Sequence, residues 1–244
     1  MEDTILAFKN VNAGYGRVQI LNDLTYEMKR GEVYGVIGPN GCGKTTMFNA
    51  LIGLIIPTHG TIMYDGHDVT KLGANTRCQM GIGRTYQVPR PFEGMSVFEN
   101  VLVAAVHGAG HSEKDGRRVA LDALKITELY DKREILAGEL TLLDRKRMEI
   151  ARALGTEPKL LLLDEVAAGL TEAEVKDVMK MVATLKDAGY SIIWIEHVIE
   201  TMVNSTDTLM CMAEGHNLMV GEPLEVMNSK LVEEVYLGVE DDDE

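Results

Sequence analysis

The apolar runs of this 244-residue chain are short, its cysteines are few, and its basic residues are outnumbered. The apolar stretches, such as residues 160–163 and 101–106, fall far below the ~18 residues that a membrane-crossing helix requires. No basic-then-apolar leader opens the chain, so the expectation is a protein neither secreted nor integral to a membrane. Cys42, Cys78 and Cys211 stand far apart and include no C-x-x-C pair. That spacing argues against a disulfide or zinc framework and for reduced thiols in the cytosol. With 24 basic against 38 acidic residues the net charge is −14. The chain lacks the basic face that nucleic-acid binding needs, and it lacks the charge for direct adhesion to an anionic membrane. If it works at a membrane, another protein must hold it there.

What is present is ordinary in bulk and specific in detail. A hydrophobic content of 45% with 25% charged residues fits a globular protein, and the length suffices to bury a substantial core in one or two compact units. The most informative stretch is Gly38-Pro39-Asn40-Gly41-Cys42-Gly43-Lys44-Thr45, a complete G-x-x-x-x-G-K-[ST] phosphate loop. An apolar run of strand character, residues 33–37, precedes it, and residues 46–52 read as a helix ending near Gly53. This strand–loop–helix setting is the context in which the motif counts. Its glycines let successive backbone N–H groups point into one concavity, and the helix adds its positive end. Lys44 supplies a charge for the β- and γ-phosphates, and the Thr45 hydroxyl is a ligand for Mg²⁺.

A second acidic feature lies far downstream. Residues 160–163 are four leucines, a run that fits a fully buried parallel strand, and they lead straight into Asp164 and Glu165. Two carboxylates at such an exit are costly to bury unless they serve a cation or a proton. Asp164 is expected to hold Mg²⁺ and Glu165 to polarise an attacking water. A second buried strand, residues 191–195, ends in Glu196-His197, at the kind of sheet edge where open α/β sheets place their sites; His197 is the candidate γ-phosphate contact.

Around these features the chain alternates. Residues 4–8 and the stretch from Ile20 to Lys29 read as an antiparallel hairpin, with a turn at Ala13-Gly14-Tyr15-Gly16. Tyr15 is either a structural turn residue or a flat ring on which adenine stacks. Residues 58–69 are strand and turn, and residues 81–87 form another short strand. Pro89 and Pro91 place Gln87 at the mouth of a loop. Residues 95–154 change to helical character: Ser96 with Glu99 makes a capping box before the stripe Val97, Val101, Leu102 and Ala105. His107 and His111, about a glycine-rich loop, have a spacing compatible with a metal but no partner ligands. Thr171 with Glu174 caps a helix over residues 171–186, closed by Gly189. A closing hairpin turns near Gly215, a short amphipathic helix spans residues 231–237, and an acidic tail follows at residues 240–244.

Together these residues resemble the ATP-binding subunit of an ABC transporter over nearly the whole chain, most closely the branched-chain amino acid (LivG-like) type. The likeness rests also on residues 81–87, on Met95-Ser96-Val97-Phe98-Glu99-Asn100-Val101-Leu102, on Val166-Ala167-Ala168-Gly169-Leu170, and on Glu234-Val235-Tyr236-Leu237-Gly238. It implies an α/β P-loop NTPase core with a mainly parallel sheet, an N-terminal antiparallel β subdomain and a helical insertion subdomain. Residues 1–92 and 155–220 would form that core with its β subdomain, residues 93–154 the helical signature subdomain, and residues 221–244 a terminal helix and tail of one ABC ATPase domain. It implies ATP and Mg²⁺ as cofactors, with Tyr15 on adenine and Gly38, Pro39, Asn40, Gly41, Cys42, Gly43, Lys44, Thr45, Thr46 and Gln87 about the nucleotide. Thr45, Gln87 and Asp164 would hold the metal, Glu165, His197 and Lys44 would act in catalysis, and residues 168–171 would be the D-loop. The implied partners are transmembrane permease subunits, a second ABC ATPase in a head-to-tail dimer and, indirectly, a periplasmic or extracellular solute-binding protein, with no nucleic acid. The implied location is peripheral, on the cytoplasmic face of the cell membrane.

One motif departs. Where the family carries L-S-G-G-Q, this chain has Leu140-Thr141-Leu142-Leu143-Asp144. Thr141 keeps a hydroxyl and, with Asp144, the spacing that starts a helix. Leu142 and Leu143 add bulk where backbone N–H groups should approach a phosphate closely, and Asp144 is expected to carry a like charge toward it. Because by the resemblance this segment acts on the nucleotide of the opposite subunit, two expectations stand side by side: a heterodimer with unequal sites, or a subfamily variant that grips ATP well enough with Thr141 alone. The competing functions are a soluble non-transport ABC ATPase, which typically carries tandem domains or a long coiled-coil insertion absent here, and a regulatory subunit that binds ATP with reduced turnover. Intact Asp164, Glu165 and His197 weigh against the latter.

Overall fold

The computed structural model describes residues 3–237; the acidic tail at residues 240–244 lies outside them. The described residues form two compact units, one from residues 3–71 together with 195–237, the other from residues 72–194.

In the first unit, strands β1 (Thr4–Tyr15) and β2 (Val18–Lys29) pair antiparallel along most of their length. The expected turn at residues 13–16 is instead strand up to Tyr15, and the reversal is confined to Gly16 and Arg17. Steric fit explains the tighter hairpin: a Cβ on Gly14 would stand 2.0 Å from the Val18 carbonyl oxygen, and Gly16 takes a φ of 60°. Strand β4 (His59–Tyr64) lies on the other side of β1, and the short β5 (His67–Asp68) completes a four-stranded antiparallel sheet in the order β2-β1-β4-β5. Strand β3 (Val33–Ile37), wholly buried, runs parallel to β9 (Thr208–Ala213), which pairs antiparallel with β10 (His216–Gly221). An aromatic pillar joins these layers. The Tyr26 ring stacks on Phe8 at 4.8 Å between centroids and tilts against Tyr34 at 5.4 Å. Helices α1 (Lys44–Leu51), α7 (Ile199–Ser205), α8 (Pro223–Met227) and α9 (Lys230–Leu237) belong to the same unit.

The second unit holds strands in the order β8 (Ser191–Ile195), β7 (Leu160–Asp164), β6 (Ile82–Arg84), with β6 and β7 parallel. Every residue of β7 and β8 is buried, including the lone Trp194, as a continuous apolar run demands. After α2 (Ala74–Gln79), three helices pack closely: α3 (Val97–His107), α4 (Glu113–Ile126) and α5 (Leu142–Gly155). A Cβ on Gly116 would meet Val106, Leu102 and Ala105 at 3.1–3.4 Å, and one on Gly155 would meet the Val101 carbonyl at 3.1 Å, so glycine sets how near these helices lie. Helix α6 (Glu172–Asp187) buries Val178, Met181, Val182 and Leu185 and starts in the capping box expected of Thr171 and Glu174. The architecture is thus α/β, with an antiparallel N-terminal sheet, parallel pairing at β3–β9 and β6–β7, and a helical segment.

The capping box at Ser96 also forms. Hydrogen bonds from the Ser96 backbone N–H, then its side chain, hold the Glu99 carboxyl below its ordinary range. Ser96→Ala is expected to cost about 1 kcal/mol of stability, read as a fall in the thermal midpoint. A lowered carboxyl pKa contributes fully above the ordinary carboxylate range and is lost as pH falls through the lowered value. The stability difference between wild type and Glu99→Gln should therefore close in acid; a gap that persists there would exclude this electrostatic origin.

Candidate nucleotide site

In the first unit the phosphate loop emerges from the buried end of β3. Gly38 has a φ of 146°, and a Cβ there would stand 2.2 Å from the Met212 carbonyl oxygen and 2.8 Å from Cys42 Sγ. No other residue fits that packing. Gly41 and Gly43 also have positive φ, and Gly43 caps α1 without any side-chain hydrogen bond at the helix start. The first-turn N–H groups of α1 are therefore not consumed by a side-chain cap, the arrangement that suits an anion. Lys44 is buried and its ammonium donates to the Gly38 carbonyl at 2.7 Å and the Pro39 carbonyl at 3.0 Å, drawing the loop around its own charge. The Gly215 N–H donates to the Cys42 carbonyl at 2.9 Å, so the β9–β10 turn latches the loop from below.

Thr45 is exposed and Thr46 buried. Tyr15 is half exposed, and its hydroxyl accepts a 2.7 Å hydrogen bond from Asn49 Nδ2 on α1. Asn49, which sequence motifs did not single out, thereby ties the aromatic ring to the phosphate-loop helix. His197 stands exposed in the segment between β8 and α7. Burial pushes the Cys211 thiol up to about 11, with the Cys42 thiol adding and the Lys44 ammonium opposing. Cys211 is therefore a protonated packing group at neutral pH.

In the second unit β7 delivers Asp164 and Glu165 as expected, and the structure adds their partners. Asp164 forms an ion pair with Arg84 at 2.7 Å, with both side chains more than nine-tenths buried. Its backbone N–H donates to Thr85 Oγ1 at 3.0 Å. The Arg84 guanidinium also lies over the Tyr86 ring, 5.3 Å from its centroid. Glu165 adopts a φ of 49°, and its carboxylate accepts a hydrogen bond from Gln87 Nε2. Gln87 and Glu165, 78 residues apart in sequence, are thus brought together. Arg84 was legible only as a charge inside an otherwise apolar strand.

The altered signature segment corrects one expectation. Thr141 does cap α5, accepting from the Asp144 N–H at 3.3 Å. Asp144, however, does not aim its charge outward: it is buried, accepts from Thr141 Oγ1 at 2.9 Å, and pairs with Lys132 at 2.5 Å. A carboxylate at the first turn of a helix finds its counter-charge within its own unit. The bulk expected of the leucines remains: Leu142 is 47% exposed, and its Cδ2 lies 3.4 Å from where a Cβ on Gly169 would stand. His107 and His111 take part in no group of three or more potential metal ligands among the described residues, and His111 instead meets the Glu157 carboxylate.

A phosphate loop of this geometry and a buried strand ending in Asp-Glu are the parts of a nucleoside triphosphatase. Residues 21–168 match the ABC transporter family model. The lipopolysaccharide export system ATP-binding protein LptB of Haemophilus influenzae is 31% identical, covering 96% of this chain and 98% of its own. A probable branched-chain amino acid transport ATP-binding protein LivG of Archaeoglobus fulgidus is 30% identical, covering 97% of this chain and 96% of its own. The crystal structure of an ATP-binding cassette of an ABC transporter in its ADP conformation superposes with a TM-score of 0.89 at 29% identity, over 96% of this chain and 99% of that one. The chain belongs to the ABC transporter family, as an ATP-binding, ATP-hydrolysing subunit of a transporter.

The buried ion pair gives a test of the site's construction. Arg84→Met strands the Asp164 carboxylate without its counter-charge and is expected to lower stability by roughly 3 kcal/mol, measured by urea unfolding. Arg84→Met combined with Asp164→Leu should recover most of that loss. A single variant as stable as wild type would show that the pair carries no net interaction.

Proposed function

We propose that this chain is the ATP-driven motor of an importer for branched-chain or other amino acids, seated peripherally on the cytoplasmic face of the membrane and driving a separate permease. The observation that carries the hydrolytic part is Glu165, held at a buried strand's exit by Gln87. In this reading Tyr15 stacks on adenine, residues 38–46 with Lys44 cradle the phosphates, and His197 contacts the γ-phosphate. The oxygen donors of Thr45, Gln87 and Asp164 suit Mg²⁺, which takes one or two protein oxygens along with phosphates and water. The bound ion would neutralise charge developing on the transferred phosphoryl group. Glu165 accepts a proton from the attacking water, and Lys44 and His197 stabilise charge. Among the described residues no helix is long and apolar enough to cross a membrane, in keeping with a separate permease.

Glu165→Gln keeps the shape and removes the base. It is expected to cut ATP turnover at least a hundredfold while ATP binding stays within a few-fold of wild type. Unchanged turnover would remove Glu165 from the reaction. The import assignment leans on the LivG relative, and the LptB relative favours a second reading, an export motor. Reconstitution with the cognate permease separates them: stimulation of ATPase activity by a solute-binding protein loaded with leucine supports import, and its absence together with stimulation by lipopolysaccharide supports export.

The partner ATPase in the head-to-tail dimer is non-identical in this reading, because Leu142 and Leu143 crowd the segment that would grip its nucleotide. With Asp144 neutralised by Lys132, the bulk alone is the impediment. Leu142→Gly with Leu143→Gly is therefore expected to raise turnover at the partner's site in the reconstituted complex. No change there would count against unequal sites.

A further inference from the structure

Lys146 belongs to no motif of the site. It lies five residues beyond Thr141 on α5 and is 3% exposed. Its ammonium donates to the Gln87 carbonyl at 2.8 Å and to the Glu165 carbonyl at 3.0 Å. A buried ammonium is costly unless its hydrogen bonds repay the loss of water, and a methionine would fill similar space without that cost. What the head group touches is therefore what calls for a lysine.

Both carbonyls belong to residues whose side chains meet. Gln87 Nε2 donates to the Glu165 carboxylate, and Lys146 holds the main chain at each end of that hydrogen bond. Glu165 needs such support. At φ 49° a residue with a side chain is strained, and this state persists only where its surroundings over-determine it. The Ala168 N–H also reaches the Glu165 carbonyl, at 3.2 Å, so the turn after β7 is fixed from two sides. Gln87 itself lies in an exposed loop, and Lys146 anchors its carbonyl; three residues on, the Arg90 N–H donates to the buried Glu149 carboxylate, also on α5.

We propose that Lys146 is a positioning residue for ATP hydrolysis: it ties the Gln87 loop and the strained Glu165 main chain to helix α5, so that the Glu165 carboxylate is presented in one orientation. The helix that carries Lys146 begins at Thr141-Leu142-Leu143-Asp144, so a displacement of that segment reaches Glu165 through one side chain. The inference rests on the base role given to Glu165 above.

The test compares ATP hydrolysis by the reconstituted complex carrying this chain as wild type, Lys146→Met, Lys146→Arg or Glu165→Gln. Lys146→Met is expected to lower kcat at least tenfold, with the KM for ATP and the thermal midpoint nearly unchanged. Lys146→Arg, which still donates to two carbonyls, recovers most of the rate. Lys146→Gln, with a donor but no charge, falls between and reads the same quantity if Lys146→Met folds poorly. In a Glu165→Gln background Lys146→Met adds no further loss, because the two act through one group. Wild-type kcat in Lys146→Met beside an inactive Glu165→Gln overturns the inference alone, as does an equal loss in both backgrounds. Full turnover in Glu165→Gln overturns the reading beneath it and the inference together.

Discussion

A strand buried on both faces cannot end in two carboxylates without help, and that constraint shapes the second unit. Strand β7 is four leucines sealed from water, then Asp164 and Glu165. Asp164 takes its counter-charge from Arg84 on the neighbouring strand, a pairing possible because β6 and β7 run parallel with Arg84 opposite Leu162. Glu165 turns out of the strand through a left-handed backbone and finds Gln87. Lys146 then stitches both carbonyls to α5. Each partner is polar, each comes from a different segment, and together they replace the water that these groups would lose.

The first unit solves a different problem, that of exposing backbone donors. The phosphate loop must curl tightly, and it does so with glycines whose missing side chains admit the Met212 carbonyl and the Cys42 sulfur. Lys44 holds the curl by bonding to two carbonyls of the loop itself. The buried ammonium thus has its hydrogen bonds met by the loop's own carbonyls. The aromatic pillar of Phe8, Tyr26 and Tyr34 and the latch from Gly215 give that loop a firm base.

The signature segment shows how local substitution is absorbed. Asp144 is no repulsive charge on the outer surface: Lys132, twelve residues back, pairs with it, and the Thr141 hydroxyl makes it part of the cap of α5. Charge at this helix start is thereby internal bookkeeping, and only the leucine side chains alter the outer surface. The chain has kept the helix and changed its tip.

By itself, the sequence determined the element types and the reaction class. The glycine spacing before Lys44, the four leucines before Asp164 and the capping boxes at Ser96 and Thr171 are short-range patterns, and each formed because its cause lies within a few residues. The hairpin at Tyr15 was misplaced by two or three residues, since close strand pairing, not turn composition, decided where the chain reversed. Only the tertiary structure decided the roles of Arg84, Asn49, Lys132 and Lys146. Their partners lie 80, 34, 12 and up to 59 residues away, and an isolated charged or amide side chain carries no period or spacing that reports such a contact. The need to neutralise or hydrogen-bond each buried polar group is a property of the packed molecule, so it becomes visible only when the chain is folded.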